Sequence, residues 1–360
     1  MAVISLKCPN CDGELIFDPS TKKYKCEYCT SLFTQEELDA MNQMGTEEEQ
    51  AEETPAKEQQ GEQTEQAESG QEAAIYQCPS CGAQIVTDAT TAASFCYYCH
   101  NPVVLGGRLS GEYLPDRIIP FSVTKEAALK GFEGYIGKKK FVPRAFFSKK
   151  QVESMSGVYF PYWMYDTQMK GSMQAEGRNV RVWRTGDTEY TETKHYRVER
   201  EGKIKLENLT ENALQKANYK LAQGMMPYDF SKLEPFQMGY LSGFLAERRD
   251  VEKEQVAPKM KQEMEEDAKR LFRETISGYN SVTVNSSSFQ PQKEKWSYVL
   301  LPVWTLTYKA RNGKIYYYSM NGQTGRVYGE LPVDHKKLGL VSAVSALATL
   351  ILALIGGFFL

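Results

Sequence analysis

The spacing of apolar residues in the middle of the chain predicts a mixture of helices and strands. Thr124 can cap a helix that runs to about Ile136, because the apolar residues after it recur at helical spacing. Pro258 suits the first turn of a longer helix that runs to about Ser277. This second helix carries an apolar stripe that we expect to pack against a sheet: Val256, Met260, Met264, Ala268, Leu271, Phe272 and Ile276.

Alternation of apolar and polar residues predicts antiparallel hairpins. In two places a pair of strand-like segments flanks a turn: Val180–Thr185 and Tyr190–Glu199 around Gly186-Asp187, and Trp296–Ala310 and Lys314–Met320 around Asn312-Gly313. Two further strings resemble each other, because each has a proline two residues before a tryptophan: Tyr159–Trp163 and Leu300–Trp304. Since proline cannot donate to a strand ladder, Pro161 and Pro302 are each predicted to mark a sheet edge or a bulge.

The last 23 residues, Leu338–Leu360, carry no charged side chain. At 1.5 Å per residue, a helix of that length spans a hydrocarbon core about 30 Å thick. Lys336 and Lys337 stand directly before the segment, and lysines beside a span mark its cytoplasmic side. We therefore expect a single-pass C-terminal anchor in the cell membrane, with the bulk of the chain in the cytoplasm. A homodimer is a further possibility, because small residues recur every four positions and could let two such helices pack closely. They are Ser345, Thr349, Ala353 and Gly357.

Charge is segregated along the chain. The formal net charge is −3, yet Gly45–Ala74 alone carries ten glutamates and one lysine, so the remainder is positive. Alanine is the only aliphatic residue of this stretch, which therefore buries too little apolar surface to offset the entropy of ordering. We predict a disordered acidic linker over 36–74.

All eight cysteines fall in four C-x-x-C pairs that form two matched sets. The first set is Cys8, Cys11, Cys26 and Cys29, and the second is Cys78, Cys81, Cys96 and Cys99. Four thiolates grouped in this way can surround Zn²⁺ tetrahedrally, with Zn–S distances of about 2.3 Å. The spacing predicts two four-cysteine zinc ribbons, over 1–35 and 75–107.

Other uses of the cysteines fit the sequence less well. A disulfide framework needs an oxidising compartment, and Met1–Lys7 is too short for the apolar core of a secretory signal. A redox C-x-x-C does not need to occur in matched pairs, and iron–sulfur ligation is the remaining alternative. Because four cysteines fill the coordination shell, we expect two structural Zn²⁺ ions and no catalytic one.

One stretch of the central region, 138–150, is strongly basic. It holds three phenylalanines, no acid and six basic residues: Lys138, Lys139, Lys140, Arg144, Lys149 and Lys150. Basic groups interleaved with aromatic rings suit anionic lipid headgroups or nucleic acids. The alternative is a loop whose phenylalanines enter the core while its basic groups stay solvated.

Common catalytic signatures are missing from the sequence. No G-x-x-x-x-G-K-[ST], G-x-G-x-x-G, G-x-S-x-G or H-E-x-x-H string occurs. The three histidines, His100, His195 and His335, are scattered, and His195 is expected to face solvent. We therefore expect no enzymatic activity, and an enzyme with an unrecognised site in 108–335 is the least favoured hypothesis.

Several of these strings resemble a family of bacterial membrane proteins, the TFIIB-type zinc-ribbon-containing proteins, some of which are labelled after the primosomal replication-restart helicase. The similarity covers about 76–337. It rests on the second cysteine set, the two proline–tryptophan strings and three more: Ile119-Pro120-Phe121, Met320–Gly325 and Leu331–Asp334. The resemblance implies zinc ligation by the eight cysteines. It does not imply helicase activity, because the nucleotide-binding motif is missing.

Together these patterns predict an α+β protein with two zinc ribbons, an aromatic-rich domain over 108–335 containing antiparallel hairpins, and a transmembrane helix over 336–360. The first ribbon is expected to be a mobile bead, and the second to abut the aromatic domain.

The favoured function is a zinc-binding, membrane-anchored adaptor or scaffold whose ribbons dock a cytosolic protein. A membrane-tethered nucleic-acid-binding protein is the second hypothesis, disfavoured because Asp88 is the only charged residue of 76–107.

Overall fold

The computed structural model describes residues 7–48, 73–77, 84–88, 91–95, 102–104, 113–143, 155–215, 224–309 and 315–358. Within these ranges the α-helices are α1 Gln35–Glu48, α2 Lys125–Gly137, α3 Lys253–Glu274 and α4 His335–Phe358, and two short 3-10 helices cover Phe230–Lys232 and Met238–Leu241. The strands before α2 are β1 Leu15–Asp18, β2 Lys23–Cys26, β3 Leu32–Phe33, β4 Ala73–Gln77, β5 Gln84–Asp88, β6 Thr91–Phe95, β7 Pro102–Val104 and β8 Arg117–Ile118. Those after it are β9 Ser156–Thr185, β10 Thr188–Asn212, β11 Glu234–Pro235, β12 Leu245–Glu247, β13 Ser281–Lys309, β14 Ile315–Asn321 and β15 Val327–Gly329. The predicted α+β class with antiparallel strands is confirmed.

A ten-stranded sheet holds most of the molecule together. Its central strand, β9, pairs antiparallel with β13 on one side and with β10 on the other. Most other pairings are also antiparallel, but β8 runs parallel to β13 and β12 runs parallel to β9. The strands β6 and β7 extend the sheet beyond β12, so the region of the second cysteine set joins the aromatic domain.

The three longest strands build an elongated arm. β9 contains 30 residues and would reach roughly 100 Å if straight. Its first ten residues are almost entirely buried, its middle alternates between buried and exposed positions, and its last residues are exposed. The hairpin predicted around Gly186-Asp187 is therefore confirmed, but it is only the end of a much longer structure.

The two proline–tryptophan strings lie beside each other in the sheet. Pro161 is paired with Leu300, and Pro302 with Tyr159, without a register shift at either proline. The prediction that these prolines mark edges or bulges is therefore wrong; the two register shifts of this pairing fall between Val284 and Ser286 and between Pro291 and Lys293. Each string places its tryptophan so that the indole donates to a backbone carbonyl at 2.9 Å, Trp163 to Val251 and Trp304 to Val123.

Aromatic rings fill the core where these strings meet the neighbouring segments. Phe121 stacks on Phe244 with ring centroids 4.2 Å apart, and Trp304 packs against both rings. Stacked and edge-on rings of this kind stabilise a core beyond the area they bury. The segment Met320–Gly325, one of those that resemble the zinc-ribbon family, also has a structural role. Its buried Asn321 donates to the carbonyl of Met225 at 2.8 Å.

The helices follow the sequence pattern with two differences. α2 begins after Thr124, whose hydroxyl accepts from the backbone of Ala127, as predicted. α3 begins at Lys253, earlier than Pro258 suggested, because Glu252 and Gln255 form a capping box. Its stripe is buried as expected except for Leu271, which is 39% exposed.

The predicted linker begins with a helix. α1 runs from Gln35 to Glu48, so the first part of 36–74 is ordered secondary structure. A capping box explains its start: Thr34 N–H donates to Glu37 at 2.7 Å, and Glu37 N–H donates to the hydroxyl of Thr34 at 3.3 Å. Leu38 is buried in the core and ties the helix to the first ribbon. The rest of the linker, apart from 73–74, lies outside the described residues.

Candidate metal centre and exposed surfaces

Four cysteines of the first set converge on one point. The ligand atoms of Cys8, Cys11, Cys26 and Cys29 all lie within 4.8 Å of one another. The sulfurs of Cys8 and Cys29 are 3.5 Å apart, as are those of Cys11 and Cys26. A tetrahedral ion with metal–sulfur distances of about 2.3 Å requires sulfur separations of about 3.8 Å. The donor set and its spacing therefore fit a four-coordinate metal site.

The two C-x-x-C turns have the same backbone hydrogen bonds. The carbonyl of Cys8 accepts from Asp12 N–H at 2.9 Å, and that of Cys26 accepts from Thr30 N–H at 3.0 Å. Asp12 and Thr30 both have positive φ, at 59° and 61°. This conformation is unusual for a β-branched residue such as Thr30. Both turns are attached to the three-stranded sheet of β1, β2 and β3. Each turn supplies two of the four thiols, and all four lie together.

The thiols differ in their surroundings. Cys8 and Cys26 are buried, whereas Cys11 is exposed. Burial raises the pKa of Cys8, while hydrogen bonding to the side chain and backbone of Ser31 lowers the pKa of Cys29 to about 6. A thiolate at Cys29 is the form that ligates a metal ion.

The second cysteine set, Cys78, Cys81, Cys96 and Cys99, lies outside the described residues. The strands around it are described: β4 pairs with β5, and β6 pairs with β7. The predicted second metal site therefore stays a prediction.

The first ribbon is packed on the body of the protein and is not a free bead. Phe17 N–H donates to the carbonyl of Ser242 at 3.2 Å, and the hydroxyl of Ser242 donates to the carbonyl of Leu15. The ring of Phe17 meets that of Tyr240 edge-on, with centroids 5.2 Å apart. Tyr24 is buried against Gly239. A side chain at position 239 would collide with the hydroxyl of Tyr24. The expected mobility is wrong because the apolar face of the small sheet needs a partner.

Among the described residues, one helix is long and apolar enough to cross a membrane. This segment of α4 covers His335–Ala353 and is not buried against the rest of the protein. Its base is fixed to the body, because Asp334 N–H donates to the carbonyl of Phe141 at 2.7 Å.

The described half of the basic stretch lies beside that base. Lys138, Lys139 and Lys140 follow the end of α2 and are exposed. Lys139 and Lys140 line the same cavity as Lys337 from the first turn of α4. Arg144, Lys149 and Lys150 lie outside the described residues.

The far end of the arm carries exposed apolar residues that the sequence pattern alone did not single out. Beyond Ser281, which pairs with Arg178, the arm is a two-stranded ribbon. Four large apolar side chains are exposed there: Val180, Val182, Trp183 and Tyr190. Because side chains alternate along a strand, Val180 and Val182 lie on one face of the ribbon and Trp183 and Tyr190 on the other. We call the pair Trp183 and Tyr190 the tip patch. Trp183 and Tyr190 pair across the strands and stack with centroids 5.6 Å apart. The alternation of Val180–Thr185 predicts a strand, but it does not show that both sides of the strand are exposed.

His195 is exposed on the arm, as expected, and its Nδ1 lies 2.8 Å from a carboxylate oxygen of Glu176. His335 is exposed at the start of α4, and His100 lies outside the described residues. Of the histidines that are described, neither joins the cysteine cluster.

A protein of Bacillus subtilis strain 168, described as uncharacterized protein YdjG, is 30% identical to this chain over 362 residues. The match covers 99% of this chain and 100% of YdjG. The chain belongs to the YdjG family. No protein-family model matches the chain, and no solved structure matches it.

Proposed function

We propose that this protein is a membrane-anchored, cytosol-facing adaptor whose arm docks a protein partner. The observation that carries the proposal is the tip patch, which exposes two stacked aromatic rings at the end of the arm. Exposed aromatic residues on a projecting element are typical of protein-binding sites. From the sequence, the zinc ribbons were expected to dock the partner. We assign this role to the arm instead, because the first ribbon packs on the body of the protein.

The metal that best suits the cysteine cluster is zinc. Four thiolates at tetrahedral spacing leave no open position for a substrate, so Zn²⁺ would be structural at Cys8, Cys11, Cys26 and Cys29. The ion would fix two turns that the small sheet alone does not stabilise. We extend the same role to a second Zn²⁺ held by Cys78, Cys81, Cys96 and Cys99.

Membrane insertion through α4 accounts for an apolar helix with no buried face. Lysines at the start of the helix, Lys336 and Lys337, favour an orientation with the body in the cytosol. The reducing cytosol also keeps cysteine thiols available for zinc.

The charge around the tip patch favours a protein partner over nucleic acid. Arg178 pairs with Glu176 at 2.6 Å, and Arg197 pairs with Glu199 at 2.6 Å. Lys194 lies 3.5 Å from Glu192. Nucleic-acid affinity depends on cations that neutralise phosphates, and these three cations already have carboxylate partners. Arg181, nearer the tip, lies over the ring of Trp183, 5.6 Å from its centre, and is part of the same exposed surface.

Affinity capture from membranes in mild detergent tests the docking role. The variant Trp183→Ser/Tyr190→Ser should lose most of the bound partner, since each aromatic anchor of an interface contributes about 2 kcal/mol or more. Tyr28→Ser is the matched control, because Tyr28 is an exposed aromatic residue on the first ribbon, 74% accessible. Equal capture by the wild type and the tip variant, or loss only in Tyr28→Ser, would contradict docking through the arm.

A further inference from the structure

A cavity of about 340 Å³ lies where the base of α4 meets the end of α2. It is lined by Glu133, Ile136, Gly137, Lys139, Lys140, Val142 and Lys337. Its volume falls within the range of small-ligand sites, about 300–1,000 Å³. Three of its seven lining residues are lysines and one is an acid, and a carboxylate oxygen of Asp334 lies 3.8 Å from the ammonium of Lys337. The three lysines still exceed these two acids by one charge, so a negatively charged ligand complements the cavity.

The cavity is fixed relative to the start of the apolar helix. Lys337 Nζ donates to the carbonyl of Val142 at 3.1 Å, and Asp334 N–H donates to the carbonyl of Phe141 at 2.7 Å. Asp334 also accepts from the backbone N–H groups of Lys336 and Lys337, each at 3.2 Å. The segment 141–142 thereby joins α2 and α4 into one support for the lysines.

The lysines approach the cavity from two sides. Lys139 and Lys140 come from the end of α2, with the ammonium of Lys139 5.5 Å from the centre of the Tyr135 ring. Lys337 comes from the first turn of α4, one residue before the uncharged run begins. Cations that converge from two elements can hold a phosphate group more firmly than isolated surface lysines can.

We propose that this cavity binds the phosphate group of an anionic phospholipid headgroup. The inference rests on the proposed anchoring of α4, which would put Lys337 at the level of the headgroups. Glu133 adds selectivity, because its carboxylate accepts hydrogen bonds from hydroxyl groups. A headgroup that combines phosphate with hydroxyls, such as that of phosphatidylglycerol, therefore matches the whole lining.

Binding of short-chain lipids to the full-length protein in mild detergent tests the site. Calorimetric titration should show dihexanoyl phosphatidylglycerol binding at least about tenfold more tightly than dihexanoyl phosphatidylcholine. The variant Lys139→Ala/Lys140→Ala should abolish this preference while leaving the Lys337 contact with Val142 in place. The control Lys125→Ala/Lys130→Ala changes two exposed lysines of α2 that do not line the cavity, and should retain the preference.

Two further experiments distinguish a lipid headgroup from free phosphate, and membrane anchoring by α4 from lipid binding in the cavity. Displacement of the lipid by inorganic phosphate at equal concentration would overturn the headgroup assignment, and persistence of lipid binding supports it. Flotation with neutral phosphatidylcholine vesicles reports on α4 alone. If the protein floats but shows no phosphatidylglycerol preference, the site is overturned and the anchor stands. If it does not float, the anchor and the site both fail.

Discussion

At the scale of single residues, the metal centre depends on space near Gly13. A side-chain carbon there would lie 3.2 Å from the sulfurs of both Cys11 and Cys26, and 2.6 Å from the ring of Tyr28. The exposed tyrosine ring can move away, but sulfurs held around a metal cannot. Glycine is therefore required for close approach of the backbone to the cluster.

We predict that Gly13→Ala lowers metal affinity by roughly tenfold, a typical effect of disturbing the groups around metal ligands. Competition for zinc with a chromogenic chelator measures this. Gly134→Ala is the control, because a side-chain carbon at Gly134 meets no atom within 4 Å, and alanine favours the helix. Unchanged affinity in Gly13→Ala would show that the sulfurs tolerate the methyl group.

At the scale of elements, the start of α1 depends on the capping box of Thr34 and Glu37. Thr34→Ala should cost about 1 kcal/mol of stability, measured by urea unfolding, because it leaves helix N–H groups without an acceptor. Gln35→Ala, at the next position, should cost much less. An equal loss in both variants would refute the assigned role of the cap.

The same capping box predicts a direction of pH dependence. The backbone N–H of Thr34 lowers the pKa of Glu37 below its usual value, because it donates to the carboxylate. A lowered folded-state pKa stabilises the fold above the unfolded pKa, and the effect is lost as the pH falls through the folded pKa. The difference in stability between the wild type and Glu37→Gln should therefore shrink on acidification. A difference independent of pH would contradict the assignment.

Packing of α3 on the arm buries one of two adjacent side chains and leaves the other exposed. Phe272 is buried and meets the Phe289 ring edge-on, with centroids 5.3 Å apart, whereas Leu271 is exposed. We predict that Phe272→Ala costs about 3 kcal/mol or more and that Leu271→Ala costs below about 1 kcal/mol. Thermal unfolding of both variants measures the difference. Similar losses would mean that α3 does not pack through this face.

Helices were more predictable from the sequence than the sheet, for a physical reason. Thr124 and the apolar spacing after it determine α2 locally, through capping and periodicity. The length of β9 depends instead on β10 and β13, which supply hydrogen bonds from distant parts of the chain. Val180–Thr185 alternates like a half-buried strand, so the pattern alone could not show that both sides are exposed.

At the scale of the whole molecule, the cysteine cluster and the body support each other. Cysteine spacing predicted the cluster, but docking of Phe17 on Ser242 required apolar surfaces to meet across more than two hundred residues. The first ribbon is too small to be stable alone, and zinc contributes about 10–16 kcal/mol in comparable sites.

Removal of zinc with a chelator should therefore release the ribbon from the body. We predict faster amide exchange in both 7–33 and 238–244, with little change in α3. Readdition of zinc should restore protection, and calcium should not, because calcium prefers oxygen ligands. Exchange that rises only within the ribbon would contradict its support of the body.

The base of α4 and the tip patch lie at opposite ends of the ten-stranded sheet. α2, beside the base of α4, packs on Tyr318, whose strand partner is Leu306 of β13, whereas β13 begins at Ser281 near the tip patch. About 25 residues of strand separate these points, up to roughly 80 Å. In the proposed arrangement, this separation would hold a protein partner well away from the membrane.

Site-specific photocross-linking in native membranes tests this account most directly. A benzophenone amino acid at Trp183 should give a defined protein adduct in the membrane fraction, whereas the same group at Lys203, an exposed arm position nearer the body, should not. Truncation before Leu338 should move the adduct to the soluble fraction. Absence of a protein adduct at Trp183, or equal adducts at both positions, would contradict a membrane-anchored adaptor that docks its partner through the tip patch.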